Sequence, residues 1–566
     1  MIQIKQTSTS YTFSFIIFHF SFLILIAASC AAQPLSNKKQ FTRQDTLRGS
    51  ITPERAWWNV LRYDIQVTPD YDTKTIQGKN RLTIQVLKPY PKLQIDLQEP
   101  LIIDSISLIA KTGNNTKLDF ERDGNAWYVT MPALTANTTQ LIEVNYHGKP
   151  REAVRAPWDG GWIWSKDKQG RPWMTVACQG LGASVWYPCK DHQSDEPDSG
   201  ASLTITVPDS LATVSNGRLI TKKANNNGTT TYTWEVKNPI NNYNIVPYIG
   251  KYVTWHEDFA GEKGKLDCDY WVLDYDLDKA KKQFGRDVHP MLKAFEYWFG
   301  PYPFYEDGYK LVETPHLGME HQSAVAYGNG FQNGYLGRDL SATGWGNKWD
   351  FIIVHESGHE WFANNITTND IADMWVHEGF TNYSETLFTT CEFGIEAGNA
   401  YCVGTRQLIQ NDIPIIGHYG VNQEGSGDMY YKGGNLLHLI RQIINNDSTF
   451  RTILRGLNKT WYHKTVTSKE VEEFMSRQSG IDLSKIFDQY LRTTQIPVLE
   501  YSITGKDLKF RFTNCVKGFG MPVKVKWGHE EKWIRATEEW TIVSGNASTA
   551  NFSVDKNFYI NTKKVS

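Results

Sequence analysis

The sequence predicts a multidomain α+β protein: an N-terminal β-sandwich-like domain, a middle region of mixed α and β character, and a small C-terminal β module. Three observations predict it. The chain has 566 residues, too many for one hydrophobic core. Short runs alternating apolar and polar residues fill 52–272 and return over 496–566, the period of half-buried strands. Between them, over 273–495, the apolar spacing becomes helical.

Taken in order, Lys5 precedes an apolar run from Phe13 to Ala28 that ends in SCAAQP, which reads as an export signal over 1–32. Two processing sites compete. Small residues before Ala32 or Gln33 suit ordinary cleavage, whereas Ala27-Ala28-Ser29-Cys30 resembles a loose lipobox and makes Cys30 a candidate lipid anchor. Either way the expected location is exported: periplasmic, tethered to a membrane as a lipoprotein, or extracellular. Residues 33–51 are polar and read as a linker. Strands such as YDIQVTP, RLTIQVL, LIEVNYHG, SLTITVP and YTWEV follow, parted by the turns QGKN, DGN and NNNG. From 273 on, DLDKAKKQFGRDVHPMLKAFEYWFG has helical spacing and stops at Gly-Pro-Tyr-Pro; YYKGGNLLHLIRQIINND, SKEVEEFMSRQSG and LSKIFDQYLRTT are further helices. LEYSIT, LKFRFTN, PVKVKWG and FYINT close the chain as strands.

Composition is that of an ordinary globular protein, with 40% apolar and 21% charged residues. A formal charge of −2 leaves no basic footprint for nucleic acid. There are seven cysteines and no CxxC, so a cysteine-bound zinc is not expected. Cys178 with Cys189, and Cys391 with Cys402, are the close pairs, and the sequence does not establish connectivity.

VHESGHEWF, residues 354–362, carries the chemistry. On a helix, His355 and His359 share one face, the arrangement a zinc ion accepts, with Glu356 beside them and Asp350 placed to cap the start. The bare motif also arises by chance, and isolated helical histidines are usually structural. A third ligand changes the balance: WVHEGFTNYSE supplies Glu378 one helix later, which completes two histidines and a carboxylate. Asp373, Tyr383 and Glu385 are candidates to orient the ligands, while His321, His377 and His438 read as structural.

His-Glu-x-x-His, eighteen residues, then Trp375-x-x-Glu378-Gly379 resembles the M1 aminopeptidases, the gluzincin family that includes aminopeptidase N and leukotriene A4 hydrolase. Three further stretches agree in order: ACQGLGASVWYPCKD with Gln179, HLGMEHQSAVAYG with Gly318, Met319 and Glu320, and Tyr430-x-Lys432-Gly433. The resemblance implies a thermolysin-like catalytic domain over 273–495 holding one zinc ion through His355, His359 and Glu378. It implies Glu356 as general base toward the attacking water and Tyr430 as the hydroxyl that stabilises the oxyanion. Tyr431 rivals Tyr430 by composition, and the motif frame selects Tyr430. Glu320, with Gln179 beside it, is implied as the partner of a substrate's free N-terminus, and Gly318 and Met319 as backbone along the substrate.

Two departures stand out. His321 replaces the family's asparagine after Glu320. Many members end in a large helical roof, whereas about seventy β-patterned residues follow the catalytic part here, which implies a more open site, closed by a partner or a second copy of the chain. The expected activity is therefore a zinc aminopeptidase on peptides with free N-termini. Two other readings stand beside it: a zinc hydrolase of epoxide type on the same scaffold, and an exported binding protein with structural zinc.

Overall fold

The computed structural model describes residues 40–110, 112–544 and 551–566. The expected export signal over 1–32, and with it Cys30, lies outside the described residues. Among them, no helix is long and apolar enough to cross a membrane.

The first domain is built on an eight-stranded sheet. Its order runs 218–224, 229–236, 201–208, 58–70, 75–86, 139–148, 102–109 and 116–118. Neighbours are antiparallel except 58–70 with 201–208. Alternate residues along Trp58–Asp70 and Ala201–Pro208 are buried, as their alternating patterns predict. Smaller sheets of four and three strands complete the layer. Trp57, Trp58, Trp162 and Trp186 lie fully buried in the common core.

Two sequence readings are corrected here. The strand pattern ascribed to the first domain up to 272 includes Tyr252–Gly261 and Gly264–Leu273, which belong to the next sheet. Gly264–Leu273 pairs in parallel with Tyr309–Glu313 across an intervening helix, and a parallel pair needs such a crossover. Alternation reports that a segment is a strand and is silent on its partner. The second correction concerns 33–51, read as a linker. Its described end forms helix α1, Arg43–Gly49, closed by a reciprocal Thr42–Asp45 capping box. Arg43 and Gln44 tie it to Asp123. A Cβ on Gly49 would lie 2.1 Å from the Asn422 nitrogen, so only glycine lets α1 seat against the loop at 421–422.

The middle region places a five-stranded sheet against helices. The sheet order is 252–261, 264–273, 309–313, 325–327, 318–319. Gly318–Met319 is thus an edge strand, paired on one side with Val325–Tyr327. Helix α2, Leu277–Phe299, packs its apolar side into the core shared by α3, Phe351–Gly358, and α4, Trp375–Phe393. Helix α5, Tyr431–Ile444, lies against α4. The described strands from Val498–Thr504 to Asn561–Lys564 form two small sheets, as the final alternation predicts. They are fastened to the helices by Arg406, which donates to the carbonyls of Lys556 and Asn557, and by Tyr490, which donates to that of Tyr559. The six described cysteines are free thiols.

Candidate metal centre

Local sequence explains how the histidines are held. Asp350 caps α3 by accepting from the Ile352 and Ile353 amides, at 3.1 and 3.4 Å, a contribution of about 1 kcal/mol to helix stability. Regular α-helix ends at Gly358, and His359 keeps helical angles. Beyond it Phe362 and Ala363 leave the helix, Ala363 at a φ of 139°, a conformation that costs a non-glycine residue energy. The break turns the Phe362 carbonyl onto His359, whose Nδ1 donates to it at 3.0 Å.

Glycines set how closely the helices approach. A Cβ on Gly358 would lie 2.5 Å from Ser384 Oγ on α4. A Cβ on Gly433 would lie 3.0 Å from the Gly379 Cα, so α5 seats on α4 where both motifs carry glycine. On the other wall, a Cβ on Gly318 would lie 2.7 Å from Glu356 Oε1. The edge strand can therefore run directly against that carboxylate.

His355, His359 and Glu378 converge, all buried, with one donor atom of each within 4.8 Å of the others. Glu378 Oε2 lies 3.7 Å from His355 Nε2 and 3.3 Å from His359 Nε2. His355 Nδ1 donates to Glu385 Oε1 at 2.7 Å, and Glu385 also accepts from Asn382 and Tyr401. Both Nδ1 atoms thus carry the ring proton, and both Nε2 lone pairs face the carboxylate. Glu378 Oε2 is buried and makes no hydrogen bond. With both rings neutral, three lone pairs converge with no donor among them, which a cation satisfies, and two imidazole nitrogens with one carboxylate oxygen suit zinc. The residues present fit that metal.

Burial and the gathered charges shift the groups of the site. Burial raises Glu356 to about 7, against the pull of His355 and His359. Burial also raises Glu320, and Glu378 adds to the effect. Burial works to raise Glu378 too, but His359 and His355 hold it well below the ordinary carboxylate range. Burial and then Glu378 keep the Tyr430 hydroxyl protonated far above its usual range, so it stays a donor. The Tyr430 ring stacks over His355 at 6.0 Å.

The cleft at the centre is lined by His355, Glu356, His359 and Glu378 together with Gln179, Gly318, Met319, Glu320, Tyr430 and Tyr431. All nine sequence-selected positions therefore meet in one place, and the rival Tyr431 lines it as well. Among the described residues, none after 431 lines this cleft. Glu320 Oε1 accepts from Gln179 Nε2 at 2.5 Å and from the Tyr243 hydroxyl at 2.9 Å. Tyr243 was not selected from sequence, because PINNYNIVPY carries no motif that singles it out. Asn364, which donates to the Glu320 carbonyl, lies outside the motifs as well, and Thr381, whose hydroxyl lies 3.1 Å from His359 Nδ1, stands inside WVHEGFTNYSE with no spacing that marks it as a ligand's neighbour.

Of the three candidate orienting residues, only Glu385 touches a ligand. Asp373 accepts instead from Tyr419 and Ser468, and Tyr383 bonds His438 and Arg441. His321 is turned to the Tyr248 hydroxyl, 2.6 Å away, and does not line the cleft. His377 accepts from the Thr368 amide. Glu385→Gln replaces the anion behind His355 by a neutral amide of the same shape. We expect zinc affinity to fall about 10- to 100-fold, measured by competition against a chromophoric chelator. An unchanged affinity would remove Glu385 from this role.

Comparison with known proteins gives a consistent picture. The peptidase M1 N-terminal domain matches residues 59–243, and the peptidase family M1 domain matches 288–490. Leucyl aminopeptidase of Saccharolobus solfataricus is 21% identical over 79% of this chain and 55% of its own length. Aminopeptidase N of Lactococcus lactis is 21% identical over 79% of this chain and 52% of its own length. Leukotriene A-4 hydrolase of Xenopus laevis is 22% identical over 75% and 68%. The chain thus spans about half the length of most of these relatives. Among solved structures, an M1 zinc metallopeptidase mutant from Deinococcus radiodurans with a Tyr-Ser-Ala substrate superposes with a TM-score of 0.65. It is 20% identical, and the match covers 78% of this chain and 95% of that one.

Proposed function

The chain belongs to peptidase family M1, and from that premise we propose that it is a zinc aminopeptidase, removing residues from the free N-termini of peptides. His355, His359 and Glu378 hold the metal. Zinc bound there supplies Lewis acidity, which lowers the pKa of water toward neutrality and polarises a carbonyl. Glu356 takes the proton of the attacking water and returns it to the leaving amine. Its burial, which favours the protonated form, suits a group that must both accept and give back a proton. The Tyr430 hydroxyl, kept as a donor, hydrogen-bonds the developing oxyanion, a contribution of about 3 kcal/mol to the transition state. Gly318 and Met319 offer the free side of an edge strand to the substrate backbone. On the reading of residues 1–32 as an export signal, the enzyme works outside the cytoplasm.

The observation that carries the aminopeptidase reading is Glu320. Its carboxylate is buried beside the metal ligands and held in place by Gln179 and Tyr243. Neither hydrogen-bond partner is a cation, so the carboxylate is left to pair with an incoming ammonium, which a closed site accepts only with an anionic partner. The test is a paired digestion of short peptides, half with free and half with acetylated N-termini, followed by mass spectrometry with and without a chelator. Stepwise, chelator-sensitive trimming of the free set alone is expected. Cleavage of the acetylated set would make the enzyme an endopeptidase, and cleavage of neither would end the peptidase reading.

A further inference from the structure

One more buried carboxylate near the metal ligands has no part in the chemistry above. Glu424 lies in the loop VNQEGS before Tyr430 and is 7% exposed. Its Oε1 is buried and makes no hydrogen bond. The loop is tightly placed. A Cβ on Gly425 would lie 1.8 Å from the Ile415 carbonyl oxygen, α1 presses on Asn422 through Gly49, and Asn422 donates to the Gly180 carbonyl. Glu424 therefore does not reach its buried position by drift of a slack loop.

Glu424 lines a cavity of about 300 Å³, with Arg151, Trp158, Gln179, Leu181 and Met319 among its other walls. Trp158, Gln179 and Met319 line the metal cleft as well. The cavity thus adjoins the cleft beside Gln179, the residue that contacts Glu320. Because Gln179 and Met319 line both spaces and Gln179 contacts Glu320, a peptide anchored by its ammonium at Glu320 with its first carbonyl at the metal centre can direct its first side chain toward the cavity. The walls offer apolar surface for an aliphatic stem, and Glu424 ends it with a carboxylate. The cavity's other charged groups do not neutralise it. Arg151 is exposed and turned to the carbonyls of Gly160 and Asp159, and the Asp159 carboxylate accepts from the Val154 and Arg155 amides.

The geometry points to Glu424 as the residue that selects a basic first residue, arginine or lysine, in the substrate. This rests on the aminopeptidase reading and adds its substrate class. A long cationic side chain entering the cavity meets an unpaired acceptor, whereas a neutral one leaves that acceptor buried and unsatisfied. Burial, with Glu378 and Glu320 adding to the effect, raises Glu424 to about 8, so an arriving cation draws off its proton, whereas an acidic side chain brings nothing to do so.

The test uses the zinc-loaded full chain in two assays. The first measures kcat/KM for the 4-nitroanilides of arginine, lysine, leucine and glutamate, in the wild type and in Glu424→Gln. Arginine and lysine are expected to lead in the wild type. The variant's arginine-to-leucine ratio is expected to fall about 10- to 100-fold, the range of a hydrogen bond to a charged group. The second compares binding of L-arginine with its neutral isostere L-citrulline by calorimetry, which needs no variant and no turnover. Tighter binding of arginine is expected, and equal affinity overturns the inference even if Glu424→Gln fails to fold. Leucine turned over at least as well as arginine, with a ratio unmoved by the substitution, overturns it while leaving an aminopeptidase. No turnover of any anilide, with the digestion above also negative, removes the aminopeptidase reading itself.

Discussion

Glu356→Gln is expected to leave zinc bound and to lower kcat by about 100- to 10,000-fold, the usual contribution of a positioned general base. The geometry makes this a clean substitution. Glu356 is not among the three converging donors, so the metal's protein ligands stay intact. Its carboxylate lies against Gly318, whose missing Cβ leaves just enough room, and an amide of the same shape fits that space. What the amide cannot do is take a proton. The measurement is steady-state kinetics on a free-N-terminus peptide, paired with zinc content by atomic absorption. A variant with full zinc and activity within tenfold of wild type would remove Glu356 from the proton's path. A variant without zinc would show that it supports the metal instead.

The sequence was most readable where chemistry forces residue types into a fixed spacing. Zinc needs three donors and an open side, so His355, His359 and Glu378 stand out at helical spacing and across one helix connection. The glycines of the motifs are visible too, but their reason is not. Gly379 and Gly433 serve each other across a helix contact, and Gly318 serves Glu356, relations between residues far apart in the chain. Strand alternation gave the β-rich regions their character and misplaced the boundary, because Gly264–Leu273 looks the same whichever sheet it joins. Helix α1 was hidden by polar composition, although Thr42 and Asp45 carry a capping signal. Tyr243 and Glu424 were unreadable for a different reason: a lone tyrosine or glutamate in a loop acquires meaning only from what the fold brings to it. Tyr243 is defined by Glu320, and Glu424 by the cavity that starts at Gln179 and Met319.

Removing the metal is expected to abolish activity and to lower the melting temperature of the catalytic region, with zinc restoring both and magnesium or calcium restoring neither. The stability effect follows from the charges gathered at the site. Glu320, Glu356 and Glu378 are all buried around His355 and His359, and Glu378 Oε2 has no hydrogen-bond donor of its own. A cation held there stabilises the folded state by about 4 kcal/mol when free metal exceeds its dissociation constant a thousandfold. That benefit belongs to the domain whose core includes α3 and α4, since all three donors lie on or at the end of those helices. The N-terminal β-domain has its own core around Trp57, Trp58 and Trp162 and contributes no donor. Calorimetry with and without a chelator should therefore shift the catalytic transition more than the other, and a single midpoint would hide the difference. Ion selectivity follows from the donors: calcium and magnesium prefer sets made of oxygen, and two imidazoles are a poor offer to either. Equal protection by calcium, or a melting profile indifferent to chelation, would mean that the convergence of His355, His359 and Glu378 is not a zinc site.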